Sequence, residues 1–279
     1  MIVVDNGSQD GSPEAVRSQF PSVTLIENGE NLGFAKANNF GIRQANGRYY
    51  CLINSDVEIR EGCLDQLVNF MDSHPDIGMA GPKTFQSNME VVDSCRIFPS
   101  IWTYIVSALY LDNIFPKIRI FNSEHLTYFS HDEIRDVDYL AGCFMMVRRE
   151  VVDSLGPLDE RFFIYQEEVD WCKRIKDSGW RITFFPGAEA VHHHAVSSSK
   201  DPVRFSVEQL KSILQYWDKH AGPVKRIGVI AVLIFHYGVR YLFGGLMRLW
   251  SSSQSEKMSL RFKKNSACLK TLFRQFHLA

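Results

Sequence analysis

A chain of 279 residues, 45% hydrophobic and 23% charged, has room for one large α/β core with a small appendage, which excludes a disordered or fibrous protein. The formal net charge of −1 conceals a division: residues 219–279 hold eleven Lys and Arg against Glu256 alone, a net +10, while the 218 residues before them hold 20 basic and 31 acidic groups, a net −11. A basic, partly apolar tail on an acidic body points to an anionic surface partner, with a solvated helical tail as the plainer alternative; no nucleic-acid partner is expected.

The elements follow in chain order. Residues 1–5 read as a strand, and a turn over 6–12 leads to a helix over 13–20 with Ser12 as N-cap and Pro13 in its first position. A strand over 23–27, a helix over 34–45, a strand over 49–53 and a helix over 61–73 continue the alternation of βα units on a mostly parallel sheet. Residues 100–111 form an apolar, aromatic helix, and 112–136 are irregular. A strand over 137–148 runs into a short helix ending at Leu155. The helix 166–178 turns Trp171, Cys172 and Ile175 inward, and two short strands, 181–185 and 188–192, are separated by Pro186-Gly187. Helices over 203–220, 227–250 and 260–276 follow. Residues 227–239 lack any acid, Lys or Arg, but Arg240 and Arg248 interrupt the continuation before the ~20 residues that a membrane span needs. That stretch reads as interfacial, with Lys225, Arg226, Arg240 and Arg248 near lipid phosphates, or alternatively as a core helix. Six scattered cysteines (51, 63, 95, 143, 172 and 268) with no C-x-x-C pair read as reduced, buried thiols of a cytosolic protein. With a strand at the very start, no signal peptide is expected.

Two acidic clusters each follow a strand-like apolar run. Asn54-Ser55-Asp56-Val57-Glu58 follows Tyr49–Ile53, and Glu167-Glu168-Val169-Asp170 follows residues 161–165. An acidic turn at a strand's carboxyl end can hold a divalent cation, and a facing acidic pair can supply a base, a combination suited to a phosphate-bearing substrate. Acids at the first turn of a helix also stabilise its dipole, so Glu167 and Glu168 have a structural explanation as well. Asp170 suits an ion pair with Arg174.

Several motifs in one order carry a resemblance. They are Val3-Val4-Asp5-Asn6-Gly7-Ser8 with Asp10-Gly11-Ser12; Asn31-Leu32-Gly33-Phe34-Ala35 with Asn38-Asn39-Phe40-Gly41-Ile42; and Leu52-Ile53-Asn54-Ser55-Asp56-Val57. Gly142–Arg149, Leu158–Phe163, Glu167–Cys172 and Val191-His192-His193 complete the series. Over about residues 1–200 the chain resembles family 2 glycosyltransferases of GT-A fold, in the bacterial rhamnosyltransferase-like branch that builds O-antigen and other surface polysaccharides. The resemblance implies a Rossmann-like α/β domain over 1–200, with a mostly parallel sheet flanked by helices; charge and hydropathy add a basic helical region over 201–279, expected to be peripheral at the inner face of the cell membrane. It implies an inverting transfer of a sugar, rhamnose in this branch, from a nucleotide diphosphate donor to a lipid-linked glycan acceptor, with Mg²⁺ or Mn²⁺ as cofactor. Asp5 would accept from a pyrimidine N3–H, or else only initiates the Asn6-Gly7 turn. Asn31 and Gly33 would bring backbone amides toward the nucleotide, and Asn38 would contact it or pack its helix. Asn54, in the first position of the family's D-x-D motif, would bond a ribose hydroxyl, and Asp56 would bind the metal with His192. Glu168 would be the base for the acceptor hydroxyl, one methylene longer than the family's usual Asp, with Glu167 as the substitute. Arg148 and Arg149 are placed either to reach a diphosphate or to be solvated.

Family members begin with one more strand and helix, on the order of 30–40 residues. The chain is therefore expected to be shortened at its N-terminus, leaving the neighbours of a central strand with unpaired edges. On that expectation the alternative function is a non-catalytic remnant that at most tethers a partner at the membrane. A nucleotidyltransferase would want a basic residue in the turn 6–12, which has none.

Overall fold

The computed structural model describes residues 1–122, 124–126, 128–193, 201–250 and 256–276, with side chains at 247–250 and 275–276 left aside. His194, the Ser197-Ser198-Ser199 run and the side chain of Arg248 lie outside the described residues. The chain divides into two compact units, Met1–Phe98 with Ser130–His194 and Pro99–Phe129 with Ala195–Ala279.

In the first unit, β1 (Ile2–Asp5) pairs in parallel with β2 (Thr24–Glu27) across α1 (Ser12–Gln19), and α2 (Phe34–Gln44) covers β1. Ala35, Ala37 and Ile42 make the buried side of α2, and Gly41 lets the helix approach Val4 closely. Ser12 is not the N-cap: Asp10 Oδ1 accepts from Ser12 N at 3.1 Å and Ser12 Oγ at 2.6 Å, so the cap falls on Gly11 in the left-handed region at φ 83°. The local Asx turn outcompetes capping by Ser12.

The larger sheet contains β3 (Tyr49–Ile53), β4 (Val57–Ile59), β5 (Ile77–Phe85), β7 (Arg135–Asp136), β9 (Phe144–Arg148) and β10 (Arg181–His192). Its order is β3-β9-β5-β10-β4, with β7 pairing β10. A separate two-stranded ribbon joins β6 (Cys95–Arg96) to β8 (Tyr139–Leu140). The α/β class agrees with the sequence, but the large sheet is mixed: only β5–β10 is parallel, and the other pairings are antiparallel. The βα rhythm of residues 1–73 is silent about later strands, and β9 inserts between β3 and β5 in the opposite sense. Residues 137–148 do not form one strand, because the bend at 141–143 separates β8 from β9. Pro186-Gly187 does not divide β10, since a register shift between Phe185 and Glu189 absorbs the dipeptide. A bulge is where a strand tolerates a residue with no N–H.

The helix α3 (Cys63–Ser73) packs Leu67, Phe70 and Met71 against Ile77, Ala80, Phe144, Met146, Ala188 and Ala190. Phe70 stacks on Phe185 at 4.2 Å. α6 (Arg149–Leu155) and α7 (Glu167–Asp177) complete the unit, with Trp171, Cys172 and Ile175 fully buried as their spacing implies. Asp170 is buried and paired with Arg174 at 3.0 Å. Five cysteines are buried and free, but Cys51, on β3, is exposed; alternation along the strand places it opposite the buried Tyr50 and Leu52.

The second unit is helical: α4 (Ile101–Ala108), α5 (Leu111–Ile114), α8 (Pro202–His220), α9 (Pro223–Trp250) and α10 (Glu256–Phe276). Ser100 and Thr103 close a capping box on α4, and Asp201 caps α8 through Arg204 N at 3.0 Å. Residues 100–111 are not one helix, because Tyr110 takes the left-handed region at φ 57°. Val229, Ile230 and Leu233 bury one side of α9, which packs on α4, α8 and α10.

Candidate functional site

The first turn system is built around one amide. Asn6 Nδ2 donates to Asn31 Oδ1 at 3.1 Å and to the Gly33 carbonyl at 3.2 Å, and its Oδ1 accepts from Asn28 Nδ2 and Leu32 N. Asn6 therefore holds two turns together. Asp5, buried at the end of β1, accepts from Gly7 N and Ser8 N, both at 3.1 Å. The turn-initiating role is thus realised, and a carboxylate oxygen with two lone pairs keeps capacity for a further donor. Gly7 sits at φ 85°, and a Cβ there would lie 2.8 Å from Glu30 Cα.

Gly33 connects this turn to the acidic pair. Phe34 N, at the start of α2, donates to the Phe163 carbonyl at 2.7 Å. A Cβ on Gly33, at φ 87°, would clash with that same oxygen. Gly33→Ala is expected to cost about 3 kcal/mol or more, the sum of backbone strain and a backbone clash. A fall in urea midpoint of corresponding size checks it. Asn38 donates to the Phe34 carbonyl at 2.9 Å within its own helix. The buried Asn39 bonds Leu158 in both directions and Glu160 Oε1, fixing α2 to the segment before α7.

Asp56 and His192 are brought together by strand register. β10 runs antiparallel to β4 with His192 opposite Val57, so His192 Nε2 lies 3.1 Å from Asp56 Oδ1, and His193 N donates to the Asp56 carbonyl at 2.8 Å. His193 points elsewhere, toward Glu58 Oε2 and Ser87 Oγ, as alternation along a strand requires. A carboxylate oxygen beside an imidazole nitrogen is a donor set that fits Mn²⁺ or Mg²⁺, which would need further oxygen donors to complete its coordination. Among the described residues no third His, Cys, Asp or Glu joins them.

Glu167 and Glu168 open α7 after two successive non-glycine residues in the left-handed region, Tyr165 at φ 67° and Gln166 at φ 68°. Glu167 Oε2, Glu168 Oε2 and Gln166 Oε1 are buried with no hydrogen-bond partner among the described residues. Three such oxygens within three residues are uncommon, since buried polar atoms normally find partners. Burial raises the proton affinity of both carboxylates, and the charge of Glu168 adds to the effect on Glu167. Backbone amides and Arg96 oppose it at Glu168.

The bend at Gly142-Cys143 ties the two acidic regions. Asn54 N donates to the Cys143 carbonyl at 2.9 Å, and a Cβ on Gly142 would lie 3.7 Å from Glu168 Cβ. Burial pushes the Cys143 thiol up to about 11, and the charges of Asp56 and Glu168 both add to that rise. The segments that carry Asp56 and Glu168, far apart in sequence, thus both come to the Gly142-Cys143 bend.

The structure also separates candidates. Arg148 donates to the carbonyls of Ile77, Met71 and His74, and Arg149 to those of Gly47 and Ala45; these contacts account for both residues structurally, one of them closing the end of α3. Sequence reasoning passed over Arg96, Cys143 and Gln166. Arg96 lies in a two-residue strand with no local signal, whereas Gln166 stands directly before the acidic pair.

Comparison with known proteins gives a consistent setting. The family described as Glycosyl transferase family 2 matches residues 1–156. N-acetylglucosaminyl-diphospho-decaprenol L-rhamnosyltransferase of Mycobacterium tuberculosis (strain ATCC 25618 / H37Rv) is 30% identical over 237 residues, covering 80% of this chain and 76% of the relative. Rhamnosyltransferase WbbL of Escherichia coli (strain K12) is 26% identical, over 58% of this chain and 62% of its own length. Among solved structures, mannosyltransferase PcManGT from Pyrobaculum calidifontis, in complex with GDP-Man and Mn²⁺, superposes with a TM-score of 0.51 at 16% identity, over 99% of this chain and 77% of that one. GalNAc-T7 with UDP, GalNAc and Mn²⁺ gives 0.54 at 14% identity, over 78% of this chain and 41% of that one. At such identities the likeness shows the fold alone, which is GT-A.

Proposed function

The chain belongs to glycosyl transferase family 2, and on that premise we propose that this glycosyltransferase is an inverting enzyme that moves rhamnose from a nucleoside diphosphate donor to a lipid-linked glycan acceptor at the inner face of the cell membrane. The Gly142-Cys143 bend, which bonds Asn54 two residues before Asp56 and lies beside Glu168, is the observation that supports the reading. It supports a donor diphosphate lying by Asp56 and an acceptor hydroxyl reaching Glu168. The names of the mycobacterial and E. coli relatives support rhamnose, and that of the mycobacterial one supports a lipid-linked acceptor.

Each residue has a defined task in this reading. Asp5 accepts from the base, and Asn54 holds the ribose, while the Asn6, Gly7, Asn31 and Gly33 turns and the Asn38 face of α2 shape the nucleotide site. Asp56 and His192 hold Mg²⁺ or Mn²⁺, whose charge would neutralise the leaving diphosphate. Glu168 takes the proton of the acceptor hydroxyl, and its buried oxygen, unpartnered among the described residues, favours the role of base because burial raises its proton affinity. Attack from the face opposite the diphosphate inverts the anomeric carbon. The three unpartnered oxygens at 166–168 suit a ligand rich in hydroxyl donors.

Incubating the purified chain with Mn²⁺, a polyprenyl-diphosphate N-acetylglucosamine acceptor and a panel of dTDP-, UDP- and GDP-sugars tests this. Release of dTDP from dTDP-rhamnose that depends on the acceptor is expected. Absence of binding to any nucleoside diphosphate at millimolar concentration would sink it.

A further inference from the structure

The second unit carries an apolar surface that its own helices leave uncovered. Between residues 227 and 246 of α9 each exposed side chain is apolar, among them Ile227, Phe235, Val239, Leu242 and Leu246. Their spacing of three and four places them on one ridge about 30 Å long. The opposite side of α9 is held along its length: Gly228 lies against Ile101, Arg240 stacks on Tyr110 at 4.1 Å and donates to the Ser107 carbonyl, and Tyr241 stacks on Phe262 at 4.6 Å. By length and composition Pro223–Leu246 is able to cross a membrane. A helix clamped lengthwise by α4 and by α10, whose Lys263, Lys270 and Arg274 face solvent, would drag charges into hydrocarbon if it did, so it suits a position along a surface.

A second element of the same unit has the same character. Residues 113–120 are all exposed, with Ile114, Phe115, Ile118 and Ile120 interleaved with Lys117 and Arg119 and no acid between them. This loop is pinned: Asn122 donates to the carbonyls of Asp112 and Phe115, and Trp102 Nε1 donates to that of Ile120 at 2.8 Å. Large apolar side chains held outward on a fixed loop have water as their neighbour only at a cost.

We infer that the loop 113–120 and the outer ridge of α9 form a bipartite docking surface for an anionic lipid bilayer, the loop inserting as a wedge. Charge selects the occupant. With +10 over residues 219–279, this region repels a second copy of itself and is attracted to acidic headgroups. The inference draws its purpose from the lipid-linked acceptor proposed above. Its test is independent, because binding is read without turnover.

The full chain is sedimented with phosphatidylcholine vesicles and with vesicles containing phosphatidylglycerol. Binding to the second, weakened by salt, is expected, and Phe115→Asp with Ile118→Asp should lower it about tenfold or more at unchanged circular dichroism. Leu242→Glu, on the ridge, should weaken binding likewise. Failure of the wild-type chain to bind either vesicle, or equal binding by the loop variant, overturns the surface. Equal binding to both vesicles overturns the choice of anionic lipid, and a vesicle-indifferent dimer dispersed by the loop variant assigns the face to a second copy instead.

Discussion

Glu168→Gln is expected to lower the rate of sugar transfer about 10²- to 10⁴-fold while leaving donor affinity nearly unchanged. Glutamine keeps the size and burial of the side chain, so the loss reports the missing base. Glu167→Gln, in the same turn, should have a much smaller effect; if it proves the more damaging of the two, the roles are exchanged. Burial raises the proton affinity of Glu168, and a base acts only when deprotonated. Activity should therefore fall as pH drops through a value above the ordinary glutamate range. Arg96 holds that value down, so Arg96→Met should move the acid limb of the pH–rate profile upward. An unmoved limb would mean that Arg96 does not act on the base.

The second large effect is expected at Asp56. Asp56→Ala should reduce kcat/KM about 10²- to 10³-fold, the several kcal/mol that neutralising a leaving diphosphate supplies, and should abolish the response of the rate to added Mn²⁺. The fold should survive, because the Asp56 carbonyl that accepts from His193 N remains and the side chain is partly exposed. Titrating Mn²⁺ against initial rate for wild type, Asp56→Ala and His192→Ala separates the two ligands. A variant that keeps both rate and metal response removes Asp56 from the metal site.

Much of the local setting of the candidate site could be read along the chain because it depends on residue type at short range. Asp5 at the end of a strand, Gly33 before a helix and two acids in a first helical turn are local patterns, and the structure places each in the element expected. Local reasoning failed where two local options compete. Asp10 and Ser12 both offer a side-chain acceptor to the same turn, and the Asx turn won. It failed also where a defect is absorbed by a neighbour, as the bulge in β10 absorbs Pro186-Gly187. Arg148 and Arg149 were open to a diphosphate or to solvent, and the carbonyls that hold them instead come from remote segments that a local reading does not contain.

The sequence by itself determined the kind of chemistry available: an acidic turn, an acidic pair, a histidine run and a basic helical tail, each tied to its element by periodicity and turn residues. Tertiary structure alone decided which of these meet. His192 reaches Asp56 because β10 lies antiparallel to β4 in one register, and a slip of one residue would turn that imidazole to the other face of the sheet. Glu168 comes to the Gly142-Cys143 bend, where a Cβ on Gly142 would lie 3.7 Å from Glu168 Cβ, through contacts between segments far apart in the chain. Pairing between distant strands and loops follows from the packing of the whole core, which no local window contains.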